Sequence, residues 1–530
     1  MRAELRLSVV LGALAAATAL AACGGDDGGD EGGPASVVPA SAPAYVEIVV
    51  QPEGEAADDA EAALAKVTGS DDPGGDIVSL LERGSREEGD TDFDFSEDIE
   101  PWLGERMGVY PSSLEGDTET TLVIETTDSD AALESVREQE DATGEEQEYE
   151  GHTFELDSDG DAFGIVDDFL VFGPPAGFRQ VVDVAEEGDP LADESKFEDS
   201  LETLPDDRLA TLYAIPSDFI EAIPEDEIDP EGKRVLLQAM GDSGDEPVLG
   251  DLTASADAVT LEFSAAGAGV ETGQSELLDR VPADSWLALA FADIGEAVGR
   301  GIDQTAEAGV PGLNAETIRR EFRRQTGLDL DQDIGALGDA AVFVQGTSRQ
   351  SLGGALVIES KDPDASAQLL TKVQDLITTQ AGGEVQVEPL ASTSGDQGFQ
   401  ITPPDSNGAT TGEGAAAGEL TQPITVIQRD DRIVAGYGGE AVNQALSPQG
   451  VEPLSESAVF ESATEAIGDL GIDAFVSFGP VLELAEGAGL SEDPDYRSAK
   501  PYLDALAFLA LGTGSEDDRG VLRFTLGLTD

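Results

Sequence analysis

The sequence predicts an α+β fold made of two tandem copies of one unit, each with a mainly antiparallel sheet and helices packed on one face. Three observations support this class. Runs of alternating apolar residues, typical of strands, are interspersed with helical patterns. Turn-type residues such as Asp157–Asp161 join successive strand patterns, which favours antiparallel pairing. Short patterned blocks in the first half of the chain recur in the second half.

The repeat rests on blocks that keep their order along the chain. A Val-Pro-Ala turn followed by a strand pattern occurs at Val37–Ile48 and again at Arg280–Leu289. Other blocks recur as follows: Asp98-Ile99 as Asp333-Ile334, Leu122–Glu125 as Leu356–Glu359, Asp167–Val171 as Asp430–Val434, and Leu191 with Phe197 as Leu454 with Phe460. The spacing between copies grows across a Gly-, Ala- and Thr-rich stretch, 403–423. We interpret that stretch as a flexible insertion in the second copy.

The first copy spans 37–270 and the second spans 277–530. Strand patterns in the first copy are Tyr45–Val50, Arg106–Tyr110, Thr120–Thr126, His152–Leu156, Ala162–Val166, Phe169–Phe172, Leu209–Ile215 and Ala258–Phe263. Helix patterns are Ala56–Val67, Ile77–Glu82, Asp130–Gln139, Ala176–Glu187 and Lys196–Leu204, with Asp128 and Ser129 placed to cap the third. The second copy adds a helix at Ala315–Gly327, ended by Gly327.

Residues 1–22 have the layout of a bacterial lipoprotein signal. Arg2 and Arg6 precede an apolar run of about 14 residues, which is shorter than the roughly 20 that span a bilayer. The run ends in Leu20-Ala21-Ala22-Cys23, the pattern of a lipobox, and Cys23 is the only cysteine in 530 residues. Residues 23–36 then form a Gly/Asp-rich flexible tether.

This start predicts a protein held on the outer, extracytoplasmic face of the cell membrane by a diacylglyceryl group on Cys23, whose two acyl chains suffice for stable anchoring. The alternative is an ordinary signal peptide with an incidental cysteine. Because the chain has one cysteine, no intrachain disulfide can form.

The charge of the chain restricts its partners. Acidic residues number 111 against 27 basic ones, a formal net charge of −84. Binding to nucleic acid is therefore excluded as the main role, because phosphates would be repelled over most of the surface. Two interpretations of the acidity stay open: a solvated shell that salt would screen, or a surface that collects cations.

The lipobox, the Val-Pro-Ala-x-x-x-x-Tyr motif at Val38–Tyr45, the segment Pro101–Gly104 and the two-fold arrangement together resemble a known family. It is the bacterial secreted and lipoprotein family called domain of unknown function 3352. The resemblance covers about Val37 to Asp530. It implies an extracytoplasmic location and supports the predicted fold, but the family has no assigned activity that the resemblance could extend to this chain.

The sequence contains no recognisable catalytic or metal-binding pattern. His152 is the sole histidine and begins a strand pattern, with no Gly-x-Ser-x-Gly elbow, zinc ligand set or nucleotide loop in the chain. Asp157–Asp161 and Asp329–Asp333 have the alternating acids of a calcium loop, but Ala162 and Ile334 occupy the position that requires glycine. We interpret them as an acidic hairpin turn and a loop before a strand, and we predict no metal site and no cofactor.

Four arginines stand out against the acidic background. Arg319, Arg320, Arg323 and Arg324 lie on one predicted helix, either paired with the protein's own acids or in contact with an anionic envelope polymer or partner. The aromatic residues Trp102, Tyr110, Trp286 and Phe291 lie in apolar patterns, which favours core packing over carbohydrate stacking.

The leading functional hypothesis is a lipid-anchored, non-catalytic protein that binds or scaffolds an unidentified envelope protein or polymer. A hydrolase of wall or extracellular glycans that uses paired carboxylates is the alternative from another class. A calcium-dependent adhesion module is a further alternative. Whether the protein is an enzyme stays open, and a non-catalytic role is favoured.

Overall fold

The structure is a computed structural model that describes residues 32–88, 94–114, 116, 118–139, 145–225, 227–266, 275–307, 314–380, 385–390, 396–402, 422–517 and 519–529. The chain forms two compact units. Unit 1 comprises Met1–Gly269, Ser515–Arg523 and Leu528–Asp530, and unit 2 comprises Val270–Gly514 and Phe524–Gly527. The lipobox and Cys23 lie outside the described residues.

The sheet of unit 1 is antiparallel throughout its described strands. Their spatial order is β4-β5-β6-β7-β3-β2-β1-β8-β9-β10. The strands are β1 (Ala44–Val49), β2 (Leu103–Ser113), β3 (Glu119–Thr126), β4 (Glu146–Tyr149), β5 (His152–Leu156), β6 (Ala162–Val166), β7 (Phe169–Gly173), β8 (Ala210–Ala214), β9 (Val248–Ser255) and β10 (Ala258–Ala266).

The sheet of unit 2 follows the same order over nine described strands, β14-β15-β16-β17-β13-β12-β11-β18-β19. The strands are β11 (Ser285–Phe291), β12 (Leu337–Gln345), β13 (Gly353–Ser360), β14 (Gln386–Pro389), β15 (Gln397–Thr402), β16 (Ile424–Arg429), β17 (Arg432–Tyr437), β18 (Gly471–Ser477) and β19 (Leu506–Glu516). The last strand, β20 (Arg519–Leu528), is divided between the units.

The helices of unit 1 are α1 (Gly54–Thr68), α2 (Pro73–Glu88), α3 (Phe95–Asp98), α4 (Ser129–Gln139), α5 (Pro175–Glu187), α6 (Ser195–Leu201), α7 (Pro216–Ala222) and α8 (Pro230–Met240). The helices of unit 2 are α9 (Ile294–Glu307), α10 (Ala315–Thr326), α11 (Pro363–Gln380), α12 (Gly439–Leu446), α13 (Ala458–Ile467), α14 (Phe478–Gly487) and α15 (Pro494–Asp504). The mixed α+β class with a large antiparallel sheet is therefore confirmed.

Helices cover both faces of the unit 1 sheet, whereas the sequence predicted one face. In β3, Val123 packs with α5, while its neighbours Leu122 and Ile124 pack in a second cluster with α3 and α4. Successive strand residues point to opposite faces, so the two clusters lie on opposite sides of the sheet. The central strand β7 is buried along its whole length, and its apolar sequence Phe169–Gly173 shows no alternation. A continuously apolar strand needs cover on both faces, which the one-face prediction overlooked.

Unit 2 is also covered on both faces. Ile433 of β17 packs with α11, and the neighbouring Gly436 faces α12, where an added Cβ would lie 2.7 Å from a methyl of Val442. That distance is closer than real Cβ contacts, so glycine at 436 permits α12 to approach the sheet.

Several contacts occur at matching places in the two units. Pro39 bridges Pro190 in unit 1, and Pro282 bridges Pro453 in unit 2. The backbone N–H of Leu191 donates to Val38 O at 2.8 Å, and that of Leu454 donates to Val281 O at 2.7 Å. The hairpin turns before β7 and β17 both use an aspartate of positive φ, Asp167 at 52° and Asp430 at 54°. A common origin of the units stays a prediction that these contacts are consistent with.

Three boundaries differ from the sequence prediction. Pro34–Ser36 form a 3₁₀ turn with Pro34 and Ala35 buried, so packing begins inside the segment predicted as tether. Ser515–Arg523 belong to unit 1 and not to the second unit, because Arg519 and Arg523 bond to residues of the β9–β10 region. The insertion 403–423 falls almost wholly outside the described residues, between the paired strands β15 and β16.

Candidate functional site: a charged cleft in unit 1

A polar cleft of about 860 Å³ opens on one face of the unit 1 sheet. Strands β1 and β2 form part of its floor, while the Pro34–Ser36 turn, the Leu191–Asp193 turn and α6 surround it. The lining residues are Gly33, Ala35, Ser36, Glu47, Arg106, Pro190, Ala192, Asp193, Phe197, Glu198, Leu201, Glu202, Asp206 and Arg208. The volume lies within the range of small-molecule sites, about 300–1,000 Å³.

An aromatic cluster beneath the cleft fixes α6 to the sheet. Phe197 packs edge-on against Tyr45, with ring centroids 5.9 Å apart, and against Tyr213 at 5.1 Å. Gly108 of β2 lies beside this cluster, where an added Cβ would come within 2.9 Å of both Tyr45 and Pro34. Glycine at 108 therefore lets the N-terminal turn and the tyrosine ring pack directly on β2.

A hydrogen-bonded ion pair forms the floor of the cleft. The hydroxyl of Tyr45, which is fully buried, donates to Glu47 Oε2 at 2.7 Å. Arg106 Nη1 lies 3.6 Å from Glu47 Oε1. Burial, followed by the neighbouring Glu47 carboxylate, raises the pKa of Tyr45 well above its usual value, so this hydroxyl stays protonated and acts as a donor.

Arg208 lies at the end of the cleft, just before β8. Its Nε donates to Thr211 Oγ1 at 3.0 Å, and its Nη1 donates to Pro205 O at 2.9 Å. Both acceptors are neutral, and within the described part of the chain no carboxylate lies close enough to form an ion pair with Arg208. A guanidinium has five N–H donors in a planar fork, so these two bonds leave donors available to a ligand.

A buried acid, Asp251, lies in the neighbouring strand β9, near enough for the charge of Arg208 to act on it. Asp251 of β9 is opposite Thr211 of β8 and Glu262 of β10. Burial, followed by the charge of Glu262, raises the pKa of Asp251 to about 6, and the nearby Arg523 and Arg208 lower it. Asp251 does not line the cleft, so we assign it no contact with a ligand there.

The mouth of the cleft is acidic. Asp193, Glu198, Glu202 and Asp206 are exposed, whereas Glu47, Arg106 and Arg208 are half-buried. Charge is thus sorted by exposure, because both arginines are half-buried together with the single carboxylate of Glu47, and the other four carboxylates are exposed at the rim. Low-dielectric walls of a cleft strengthen the potential from such charges compared with a flat surface.

Sequence reasoning missed this cleft. Glu47 interrupts the apolar pattern of β1, and Arg106 lies in a strand pattern. In the sequence, both therefore look like ordinary strand residues. A usable signal exists in the alternation: Glu47 shares its parity with the buried Tyr45, which places a carboxylate on the inward face of the strand. Arg208, in a Pro-Asp-Asp-Arg loop, carries no such signal.

The predicted arginine cluster lies on α10 of unit 2. Arg319 Nε donates to Asp331 at 3.0 Å and its Nη2 to Asp303 at 3.2 Å. Arg323 pairs with Asp329, Arg324 with Glu321, and Arg320 donates to Thr317 Oγ1 at 3.1 Å. The structure thus provides intramolecular partners for all four arginines, and for three of the arginines these partners are acids. Contact between this helix and an anionic partner stays a prediction.

In each acidic segment a buried aspartate bonds to the protein itself, and the second segment, predicted as a loop, forms a short π-helical turn at Leu330–Ile334. Asp157 is buried, and its Oδ1 accepts hydrogen bonds from the N–H groups of residues 159, 160 and 161 at 2.7–2.9 Å. Asp333 is also buried and accepts from Lys372 Nζ at 2.6 and 2.8 Å. Among the described residues, no group of three or more His, Cys, Asp or Glu side chains is arranged to hold a metal ion.

The remaining sequence candidates are structural. His152 begins β5, and its Nε2 lies 3.3 Å from Glu186 Oε1 of α5. Trp102 and Tyr110 are buried, as predicted. The prediction of core packing is wrong for Phe291, which is the last residue of β11 and is 50% exposed. Trp286 is half-buried and donates from Nε1 to Gly346 O at 3.0 Å.

None of the helices in the described ranges is both long enough and apolar enough to cross a membrane.

Comparisons with known proteins give a family and no activity. No curated protein matches the chain significantly. Among solved structures, crystal form IV of TP0453 has a TM-score of 0.18 and 11% identity, covering 78% of this chain and 95% of that chain. Crystal form III of TP0453 has a TM-score of 0.17 and 12% identity, covering 78% and 97%. Such low TM-scores support no argument about fold or role.

The sequence profile of a family described as "Protein of unknown function (DUF3352)" matches residues 6–471, which is most of the chain. The chain therefore belongs to this family, as the Val38–Tyr45 motif and the Pro101–Gly104 segment had indicated.

Proposed function

We propose that this protein is a lipoprotein of the cell envelope, held on the extracytoplasmic face of the membrane through Cys23, and that it binds a ligand without catalysing a reaction. The observation that carries the proposal is the lipobox Leu20-Ala21-Ala22-Cys23 with the only cysteine of the chain at its end. In a chain with one cysteine, neither an intrachain disulfide nor a metal site with several cysteine ligands can form, so lipidation best explains its position.

The position of the folded chain suits such an anchor. Buried packing starts at Pro34, eleven residues after Cys23. An extended chain spans at most about 3.5 Å per residue, so these residues reach roughly 35–40 Å. The tether thus keeps unit 1, and the cleft that begins at Gly33, close to the membrane surface.

The binding role is supported by the cleft and by the arrangement of the acids elsewhere. The cleft presents fixed charges at two depths in a site of ligand size. The buried carboxylates of the two acidic segments, Asp157 and Asp333, bond to the protein's own N–H groups and lysine. The glycan-hydrolase and calcium-adhesion alternatives have no comparable support.

We also infer that the two units are copies of one module. Matching strand orders and the paired bridges Pro39–Pro190 and Pro282–Pro453 support it.

The anchor is tested by metabolic labelling with an alkyne fatty acid, comparing the natural chain with Cys23→Ala. We expect label only on the natural chain, which should partition with membranes, while the variant is released. Cys23→Ser is a matched control, because it keeps the size and polarity and removes only the thiol. Label on either variant would refute lipidation at Cys23.

A further inference from the structure

The cleft of unit 1 has charges of both signs at separate depths, and this pattern selects a chemical class of ligand. We propose that it binds a zwitterion, a small molecule with one anionic group and one ammonium group, such as a free amino acid or a short unblocked peptide. The anionic group contacts Arg208, and the ammonium group lies among the carboxylates of the rim. This inference rests on the binding role proposed above and is independent of the lipid anchor.

Arg208 is the anion receptor because of what already holds it. Thr211 Oγ1 and Pro205 O orient its guanidinium without neutralising it. Unit 2 shows the contrasting case, since Arg319, Arg323 and Arg324 each bond to acids of the protein. In a chain with 111 acidic residues, a half-buried arginine that lacks an ion pair within the described residues is positioned for an external carboxylate or phosphate.

The rim carboxylates supply the second half of the site. Asp193, Glu198, Glu202 and Asp206 border the opening, and the structure gives their side-chain oxygens no hydrogen-bond donor among the described residues. Each exposed carboxylate attracts an ammonium weakly in water, and four around one opening add their potentials.

A ligand of one charge sign fits this arrangement poorly. A simple anion would have to pass the rim of a protein whose net charge is −84 before reaching Arg208. A simple cation would leave the guanidinium of Arg208 uncompensated. A zwitterion satisfies both depths at once, which is the physical basis of the selectivity that we expect.

The test is isothermal titration of the full chain in detergent with the dipeptide alanyl-alanine and, separately, with O-phosphoethanolamine. These probes share the ammonium and differ in the anionic group, so they distinguish a carboxylate ligand from a phosphate ligand. N-acetyl-alanyl-alanine, which lacks the ammonium, and alanyl-alanine amide, which lacks the carboxylate, are matched controls. We expect at least one of the two zwitterions to bind. If the site prefers the carboxylate, each control should bind at least tenfold more weakly than alanyl-alanine.

Two variants tie binding to the cleft. Arg208→Gln should weaken binding of the preferred zwitterion at least tenfold, and the double variant Glu198→Gln/Glu202→Gln should weaken it about threefold. Arg349→Gln, which removes a positive charge from an exposed loop of unit 2, should leave binding unchanged. Unfolding curves of each variant confirm that the fold is retained.

The outcomes separate the inference from the broader proposal. Absence of heat with both zwitterions at 20 mM, or binding that Arg208→Gln leaves intact, would overturn the zwitterion site while leaving the fatty-acid labelling result as it stands. Proton NMR of alanyl-alanine after incubation should show the intact dipeptide. Release of free alanine would contradict the non-catalytic role, and the Arg208 dependence of that release would still support the site.

Discussion

Unit 1 and unit 2 place their strands in the same order but fill the matching sheet face differently. In unit 1, Tyr45 faces Tyr213 and Phe197, and two residues further along β1 lies Glu47. In unit 2, Ala288 is opposite Phe475, which packs on Phe460 at 5.1 Å. Two residues beyond Ala288 lies Ala290, which is buried.

The two units differ in the inward-facing side chains at the place where unit 1 has its cleft. Glu47 is opposite Gly108 in unit 1, and Arg106 shares their face. The matching pair in unit 2 is Ala290 opposite Ala341. The pocket that Ala341 lines has space for little more than one water, about 20 Å³, and is mostly apolar. Two sheets of one topology thus differ in the charge and volume of the space above them, because a fold fixes where side chains point and not which they are.

Beyond the cleft floor, each sheet pairs one threonine with one aspartate, but the two residues exchange strands between the units. Unit 1 places Thr211 opposite the buried Asp251. Unit 2 places the aspartate on β18, where Asp473 accepts a hydrogen bond from Thr513 of β19. Burial raises the pKa of Asp473, and the bond from Thr513 lowers it. Each unit therefore has one aspartate at this place, which is buried in unit 1 and half-buried in unit 2.

The largest expected effect comes from the aromatic residue that both units share. Phe197→Ala and Phe460→Ala should each lower the free energy of unfolding of their own unit by about 3–5 kcal/mol, because each empties a buried aromatic site. Urea unfolding followed by tryptophan fluorescence can report the units separately, since the two tryptophans, Trp102 and Trp286, lie one in each unit. Single-tryptophan backgrounds, Trp286→Phe and Trp102→Phe, make each reading specific.

Phe219→Ala is the matched control, because this side chain is 41% exposed and should cost less than about 1 kcal/mol. If one of the two core variants cost as little as this control, the shared role of the two phenylalanines would be disproved.

A smaller effect should come from Asp251 and Asp473, the aspartates at matching places in the two sheets. The folded state holds the pKa of Asp251 near 6, above its unfolded value of about 3.9, so between pH 4 and 6 the folded state binds more protons. Stability should therefore fall as pH rises through this window and then level off. Asp251→Asn removes the titration, and the fall between pH 4 and 7 should shrink by up to about 3 kcal/mol, since one pKa unit is worth about 1.4 kcal/mol.

Asp473→Asn should act in the same direction and less strongly, because Thr513 already stabilises its charged form. Urea unfolding at pH 4.5, 6 and 7 in high salt measures both variants against the natural chain. An Asp251→Asn variant whose pH dependence matches that of the natural chain would show that Asp251 titrates normally.

The smallest effect should come from the surface arginines of unit 2. Arg319→Gln loses pairs with Asp303 and Asp331 and should lower stability slightly, while Arg324→Gln, at a side chain 74% exposed, should lower it less. Both losses should diminish in 1 M salt. Unchanged sedimentation of both variants with isolated cell walls supports purely intramolecular pairing, whereas a loss of sedimentation without a loss of stability would favour the anionic-partner interpretation.

Element positions were largely predictable, since they depend on local pattern. Strand patterns such as Ala162–Val166 and His152–Leu156 agree with the structure to the residue. The helix predicted at Ala315–Gly327 begins at Ala315 and ends at Thr326, with Gly327 in the left-handed conformation as its cap. The edge strand β4 was missed because Glu146–Tyr149 is polar and largely exposed, which leaves no alternation to detect.

The candidate site was not predictable because its members are distant in sequence. Glu47, Arg106, Phe197 and Arg208 come from four separate elements and adjoin one cleft only once the sheet order is formed. Conversely, the arginines of α10 are conspicuous in sequence because four fall within six residues. Their acidic partners Asp303, Asp329 and Asp331 lie outside the helix, so only the folded chain shows them paired.

The sequence by itself determined the fold class, most element positions, the family and the expectation of a lipid anchor at Cys23, because each depends on residues close together in the chain. The tertiary structure decided that helices cover both sheet faces, that Ser515–Arg523 join unit 1, and that a charged cleft lies on one unit. Those features depend on which side chains meet after strands far apart in sequence pair, and local pattern does not record such meetings.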